Sequence, residues 1–220
     1  MKITLLIPTL NEIEGMKAIM PRIKKEWIDQ ILIVDGGSID GTVEYAKKNG
    51  YFIIESKVEG VVNQLIKSFK MIEGDIIIFF SPDGNSIPEL IPSLITKMKE
   101  GYDMVIVSRY LKSAKSEDDD FFTRMGNRVF TTMVNFLFKS NYTDALVIFR
   151  AFRKDILNKM EFNKNEDIDL QLSIYCAKKR LKVTEIPGDE PPRIGGERKM
   201  KVIKTGALIL HQIIKGWFIR

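Results

Sequence analysis

The chain has 220 residues, a formal net charge of +5, 45% hydrophobic and 29% charged residues. That length suits one α/β domain with a sizeable core, and the composition excludes wholesale disorder. The single cysteine, Cys176, excludes an intramolecular disulfide and a cysteine-rich zinc site and reads as a small buried hydrophobe on a helix. No apolar run reaches the roughly eighteen residues that span a bilayer, and the N-terminal run, stopped at Pro8, reads as a strand and not a signal peptide. The positive charge calls for an anionic partner without choosing among nucleotide, lipid phosphate and membrane surface. Basic residues are interspersed with no aromatic stacking platform, which argues against nucleic acid.

Residues 2–7 form an apolar strand. Asn11 is placed to cap a helix to about residue 25, with Pro21 bending it or splitting off its last turn. Residues 30–34 give a second strand, followed by the turn Asp35-Gly36-Gly37-Ser38 and a helix from Asp40-Gly41-Thr42 to near Gly50. A strand over 51–54 and a helix to about residue 72 precede residues 75–80, a run apolar on both faces as in a central parallel strand. Pro88 opens a helix ending near Gly101, and residues 102–107 read as a further strand. This alternation predicts a doubly wound, mostly parallel α/β sheet flanked by helices, with ligands beyond the carboxyl ends of the strands. After Tyr110 come an acidic, mobile loop over 112–120, a helix over 121–138 and a strand within 145–152. A helix over 165–180, a short strand over 182–186, a Pro-, Gly- and charge-rich loop over 187–199 and a basic amphipathic helix over 200–220 complete the chain.

Three polar clusters fall at strand ends: Pro8-Thr9-Leu10-Asn11-Glu12, Asp35-Gly36-Gly37-Ser38 and Ser81-Pro82-Asp83-Gly84-Asn85-Ser86. Asp83 follows the most apolar run, where a carboxylate is costly unless it is paired or holds a cation. With Asn85 as a neutral oxygen ligand it makes a sparse Mg²⁺ or Mn²⁺ site with room for a diphosphate; capping the helix at Pro88 is the other use. Asp35 has two readings, contact with a nucleotide base or an Asx turn. Neither a G-x-G-x-x-G fingerprint nor a P-loop is present. Arg109, Arg124 and Arg128 offer forks for a phosphate, the last two sharing a helix face that equally suits solvent. Arg193, Arg198 and Lys199 flank Gly195-Gly196 in a basic loop suited to closing over a diphosphate. Glu166 and Asp167 stand at a helix start, where dipole capping competes with service as a base. His211, the only histidine, sits among apolar residues and receives no chemical role.

In their order and spacing these segments resemble the family 2 inverting glycosyltransferases of GT-A fold, and within them the dolichyl- or polyprenyl-phosphate sugar transferases, from Ile3 to about Lys204. Residues 8–12 match P-[TA]-x-N-E, and residues 33–42 match V-D-D-G-S-x-D-G-T with Gly36 for the second acid. Ser81-Pro82-Asp83 falls on D-x-D with Ser81 for the first Asp, and Asn85 stands where such enzymes often have Gln. Val107-Ser108-Arg109-Tyr110 matches G-S-R-[YF], and residues 144–150 approximate D-x-x-x-G-[FY]-R with Ile148 for the glycine. Ile186-Pro187, Arg193, Gly196 and Lys199 resemble E-[IV]-P…R…G-x-S-K, with Arg198 for the serine.

The resemblance implies a nucleotide-diphosphate sugar donor beside Pro8, Thr9, Asn11, Glu12 and Ser81, with Asp35 at the base. It implies Mg²⁺ or Mn²⁺ on Asp83 and Asn85, and phosphates on Arg193, Arg198 and Lys199. The acceptor it implies is a polyprenyl or dolichyl phosphate, taken by Arg109, Arg124 and Arg128, with inversion at the anomeric carbon. Such an acceptor needs no base; a hydroxyl acceptor on a glycan needs Asp167 or Glu166, and Arg109 counts with them as a candidate catalytic group. Nucleotidyl transfer and an inactive nucleotide-sugar-binding domain are the competing functions. The catalytic domain is expected over 1–204 and a membrane-peripheral helix over 205–220, at the cytoplasmic face of a bilayer. Phe121, Phe122, Phe130 and Phe136 beside Arg124 and Arg128, and Leu208, Leu210, Ile214, Trp217 and Phe218 beside Lys204 and Lys215, combine apolar bulk with basic charge. Packing on the sheet or a homo-oligomer interface is the other use of both segments.

Overall fold

The computed structural model describes residues 1–55, 60–195 and 202–218. Strands β1 (Ile3–Thr9), β2 (Gln30–Asp35), β3 (Phe52–Glu55), β4 (Ile76–Phe79), β5 (Met104–Ser108), β6 (Arg150–Arg153) and β7 (Val183–Pro187) form one sheet in the order β3-β2-β1-β4-β6-β5-β7. Helices α1 (Ile13–Ile19), α2 (Thr42–Lys48), α3 (Gly60–Ser68), α4 (Ile91–Lys99), α5 (Phe121–Phe138), α6 (Lys154–Lys159), α7 (Ile168–Lys178) and α8 (Val202–Phe218) flank it. Strands β4 and β5 are buried along their whole length, which is why their sequences are apolar on both faces. β1 has parallel partners on both sides, so its end, the end of β2 and the turn after β4 lie side by side.

The mostly parallel sheet flanked by helices is as expected, and four details are corrected. β6 runs antiparallel between β4 and β5, which the simple alternation places side by side. Asn11 does not cap α1; it adopts φ 56°, the N-cap position falls to Glu12, and α1 ends at Ile19 before a 3₁₀ turn that carries Pro21. The strand expected within 145–152 begins only at Arg150, and the short α6 after it escaped the periodicity reading. The loop over 112–120 is not free: Ser116 bridges Glu190, and main-chain hydrogen bonds join Glu117 N–H to Glu190 O (2.9 Å) and Glu190 N–H to Lys115 O (2.8 Å).

Arg150 is 0% exposed and explains the segment before β6. Its guanidinium donates to the carbonyls of Val147, Ala145 (3.3 Å) and Asp169 (2.8 Å) and to Ser173 Oγ (2.9 Å), tying residues 145–149 to α7. Cys176, on the buried side of α7, has its thiol pushed up to about 12 by burial, so it stays protonated and inert at neutral pH.

Helix α1 lies tight on the turn after β4. A Cβ on Gly15 would stand 2.3 Å from the carbonyl oxygen of Pro82, a backbone atom that cannot swing aside. Gly15→Ala is therefore expected to lower stability by about 1–3 kcal/mol, as overpacking does. Urea unfolding checks this; a midpoint equal to that of the parent chain would show that the approach is looser than described.

Candidate active site

The loops after β1 and β2 are stitched together by side chains. Asp35, 1% exposed, accepts from Gly37 N–H (2.8 Å), Ser38 N–H (2.8 Å), Ser38 Oγ (2.5 Å) and Thr9 Oγ1 (3.0 Å). Four donors fill a carboxylate's ordinary acceptor capacity, so Asp35 forms an Asx turn and shapes the loop. Asn11 completes the seam: its N–H donates to Ser38 Oγ (2.7 Å) and its Oδ1 accepts from Ile39 N–H (2.8 Å). The first N–H groups of the α1 end turn to the other loop, Glu12 N–H to Thr42 Oγ1 (2.9 Å) and Ile13 N–H to Asp40 (3.0 Å). Burial alone would raise the Asp40 carboxyl, but its hydrogen bonds from Thr42 and Ile13 outweigh this and hold it below the usual range.

The turn after β4 carries the charge. Asp83 is 8% exposed; Oδ1 accepts from Asn85 N–H (3.1 Å) and Oδ2 from Arg193 Nη1 (2.9 Å). The other arm of the same guanidinium donates to Glu12. Asn85 donates through Nδ2 to Pro191 O (2.9 Å), which fixes the amide plane and leaves Oδ1 as an acceptor. Ile194 N–H donates to Asp83 O (2.6 Å), and Gly84, at φ 97°, lets the Ile194 side chain lie over the turn. Residues 191–195 thus form a strap across Asp83. A cavity of about 180 Å³ opens beside it, lined by Ser81, Asp83, Asn85, Arg109, Asp189 and Glu190, with Val107 and residues 146–149 as an apolar wall. Among the described residues no group of three His, Cys, Asp or Glu side chains is arranged to hold a metal unaided.

Arg109 is a buried hub. It grips Asp144 through Nε (2.6 Å) and Nη2 (3.0 Å), donates to Glu190 (3.1 Å) and lies 3.6 Å from Asp119. Burial works against its charge, but Asp144 and Glu190 raise its pKa further still, so it is permanently cationic. Glu190, also held by Ser116, has its carboxyl raised by burial against the pull of Arg109. Asp144 opens the D-x-x-x-G-[FY]-R segment, but Asp119 and Glu190 carry no sequence signal, lying in charged loops.

The remaining candidates lie apart. Glu166 pairs with Lys215 (2.5 Å), and Asp167 caps α7 through Leu170 N–H (2.8 Å) while its N–H donates to, and its carbonyl accepts from, the Gln212 side-chain amide. Both residues therefore fasten α8 to α7, and neither lines the cavity at Asp83. Arg124 and Arg128 are exposed on α5, Arg124 donating to Ser116 O (2.9 Å). Pro8 pairs with Val34 in the sheet. Arg198 and Lys199 lie outside the described residues. Removing Arg109 would take the shared cation from Asp144, Glu190 and Asp119. Arg109→Met is expected to cost about 3–5 kcal/mol at neutral pH. Without that cation the Glu190 carboxyl, already raised by burial against the pull of Arg109, is raised further, so stability present at low pH is lost as pH rises through its folded value. Urea unfolding of Arg109→Met at pH 5 and pH 8 checks this: a smaller deficit at pH 5 is expected, and an equal one would contradict it.

A family model described as Glycosyl transferase family 2 matches residues 4–161. The chain is 30% identical over 211 residues to a dolichol-phosphate mannosyltransferase of Pyrococcus furiosus, covering 91% of this chain but only 60% of that longer protein. It is 26% identical over 209 residues to a dolichyl-phosphate hexose transferase of Haloferax volcanii, covering 94% of this chain and 90% of that one. The structure superposes with a TM-score of 0.74 and 18% identity on glucosyl-3-phosphoglycerate synthase from Mycobacterium tuberculosis, solved with Mn²⁺, UDP-glucose and phosphoglyceric acid, covering all of this chain (100%) and 80% of that one. The stitched strand-end loops, the buried Asp83 turn and the match over residues 4–161 lead to one conclusion: the chain belongs to glycosyl transferase family 2 and has the GT-A fold.

Proposed function

We propose that this chain transfers a sugar from a nucleoside-diphosphate sugar to a polyprenyl or dolichyl phosphate, with inversion at the anomeric carbon. The observation that carries the reading is the turn after β4, where a buried carboxylate, Asp83, faces a cationic group beside a polar cavity. The donor set fits Mg²⁺ or Mn²⁺: one carboxylate and the free Oδ1 of Asn85, with diphosphate oxygens and water completing the shell. The names of the two archaeal relatives support the acceptor, and the Mn²⁺ and UDP-glucose in the superposed synthase support the donor.

Thr9, Asn11 and the turn held by Asp35 form the nucleoside side, with Asp35 positioning the loop. Ser81, Asp83 and Asn85 stand at the diphosphate, and Arg193, continued by Arg198 and Lys199, supplies positive charge to it. When bound, the divalent cation neutralises charge developing on the leaving diphosphate. The acceptor phosphate oxygen attacks the anomeric carbon from the face opposite the diphosphate; that bond forms as the carbon–oxygen bond to the diphosphate breaks. An ionised phosphate needs no base, which agrees with Glu166 and Asp167 being engaged with α8. Arg109, fully bonded to acids, organises the cavity wall, leaving exposed Arg124 and Arg128 to receive the acceptor's phosphate.

No helix among the described residues is long and apolar enough to cross a membrane. Helix α8 packs on α5 and α7, and the two longest helices present large apolar side chains outward: Phe121, Phe122 and Phe136 (83% exposed) from α5, Trp217 and Phe218 (77% exposed) from α8. The reading places this face in the cytoplasmic leaflet, where each nearby Arg or Lys adds about 1 kcal/mol on an anionic surface.

Two measurements test the proposal. Asp83→Asn should lose metal-dependent binding of a nucleoside diphosphate, and with it transfer to polyprenyl phosphate, while keeping the parent circular-dichroism spectrum. Unchanged metal-dependent affinity by calorimetry would refute the site. Flotation with vesicles containing anionic lipid should carry the protein upward at low salt and less so at physiological salt. Failure to float, together with transfer to a small water-soluble hydroxyl acceptor, would overturn both the membrane placement and the lipid-phosphate acceptor.

A further inference from the structure

Three arginines among the described residues are largely buried, and one differs from the others. Arg109 and Arg150 have every guanidinium nitrogen within hydrogen-bond reach of an acceptor. Arg193 donates through Nη1 to Asp83 and through Nη2 to Glu12, but its Nε is buried with no acceptor. A guanidinium placed for structure alone has its donors satisfied, and one with a buried unpaired N–H is incompletely accommodated. The two groups it bridges belong to different elements, the start of α1 and the turn after β4, which Gly15 allows to meet.

We propose, resting on the metal reading above, that Arg193 is a resident counter-cation that competes with the divalent ion for Asp83. Oδ2, taken by Arg193 Nη1 at 2.9 Å, is the atom the cation would also use, and two positive charges at one oxygen repel. A divalent ion at Asp83 displaces Arg193, whose fork then turns to the diphosphate that arrives with the ion. The strap moves with it, because Pro191 and Ile194 are fastened to Asn85 and Asp83 by single hydrogen bonds. The consequence is coupling: the ion alone must expel a guanidinium into solvent, whereas the ion with a diphosphate gives that guanidinium a new partner. Metal and nucleotide therefore raise each other's affinity, by the same factor in both directions.

Mn²⁺ binding without nucleotide, followed by electron paramagnetic resonance, reads the competition directly. Arg193→Gln should bind Mn²⁺ about tenfold more tightly than the parent chain, equivalent to about 1.4 kcal/mol, and Arg193→Lys, which keeps the charge, should stay near the parent. Equal or weaker Mn²⁺ binding by Arg193→Gln overturns the proposal. The parent chain gives a second readout that needs no variant: hydrogen exchange at the Ile194 amide should quicken on saturation with Mn²⁺, and unchanged or slower exchange overturns the proposal. Asp83→Asn separates the two levels. If it abolishes Mn²⁺ binding while Arg193→Gln brings no gain, the competition fails and the metal reading stands; if it leaves Mn²⁺ binding intact, both fail.

Discussion

A carboxylate at the end of a fully buried strand needs a cation, and much of this site is arranged around that requirement at Asp83. The strand before it, Ile76–Phe79, has no exposed position, so the chain emerges from the sheet directly into the turn that holds the charge. Helix α1 comes down on the same turn at Gly15 and brings Glu12 with it. The strap over 191–195 then crosses both and delivers Arg193. Three separate parts of the chain meet there because isolated buried charges are far more costly than a bonded set.

Arg109 does the equivalent work on the other side of the cavity. Its three acids draw together the end of β5, the loop over 112–120, the segment entering β6 and the strap's own beginning at Glu190. The two cationic centres therefore share one connecting piece, residues 187–195, which is anchored at Glu190 by Arg109 and held at Arg193 by Asp83 and Glu12. Events at Asp83 reach the strap through a short span whose far end is fixed. On the proposal above, that division leaves one end fastened and one exchangeable, which suits a loop that covers a leaving group and releases a product.

Much of this was legible in the sequence. Apolar runs broken by Pro8, Asp35 and Pro82 locate the strand ends, and polar clusters at those breaks locate the ligand side. The Arg193 contacts were not, because their partners lie 110 and 181 residues away and no local pattern encodes a long-range ion pair. The order of strands beyond β4 was hidden for a different reason: β4 and β5 are equally apolar, so composition is silent on which neighbour separates them. Acids at 117–120 read as solvated, yet Asp119 is buried against Arg109, since formal charge alone does not distinguish a side chain facing water from one facing a buried guanidinium. Asn11 read as a helix cap, whereas its side chain bonds across to the next loop at Ile39.

On the proposed reading, the polar cavity at Asp83 takes a water-soluble donor from one side and the exposed aromatic face of α5 and α8 serves an amphiphilic acceptor on the other. Of these two, the donor side bears the weight of the account, because membrane placement is pointless without a site for the activated sugar. Anomalous diffraction from crystals grown with Mn²⁺ and a nucleoside diphosphate is the most direct measurement. The account predicts a single strong peak in contact with Asp83 Oδ2 and the diphosphate oxygens, with the Arg193 guanidinium moved onto the diphosphate. A peak elsewhere in the molecule, with the Asp83–Arg193 pair intact beneath a bound nucleotide, would contradict it.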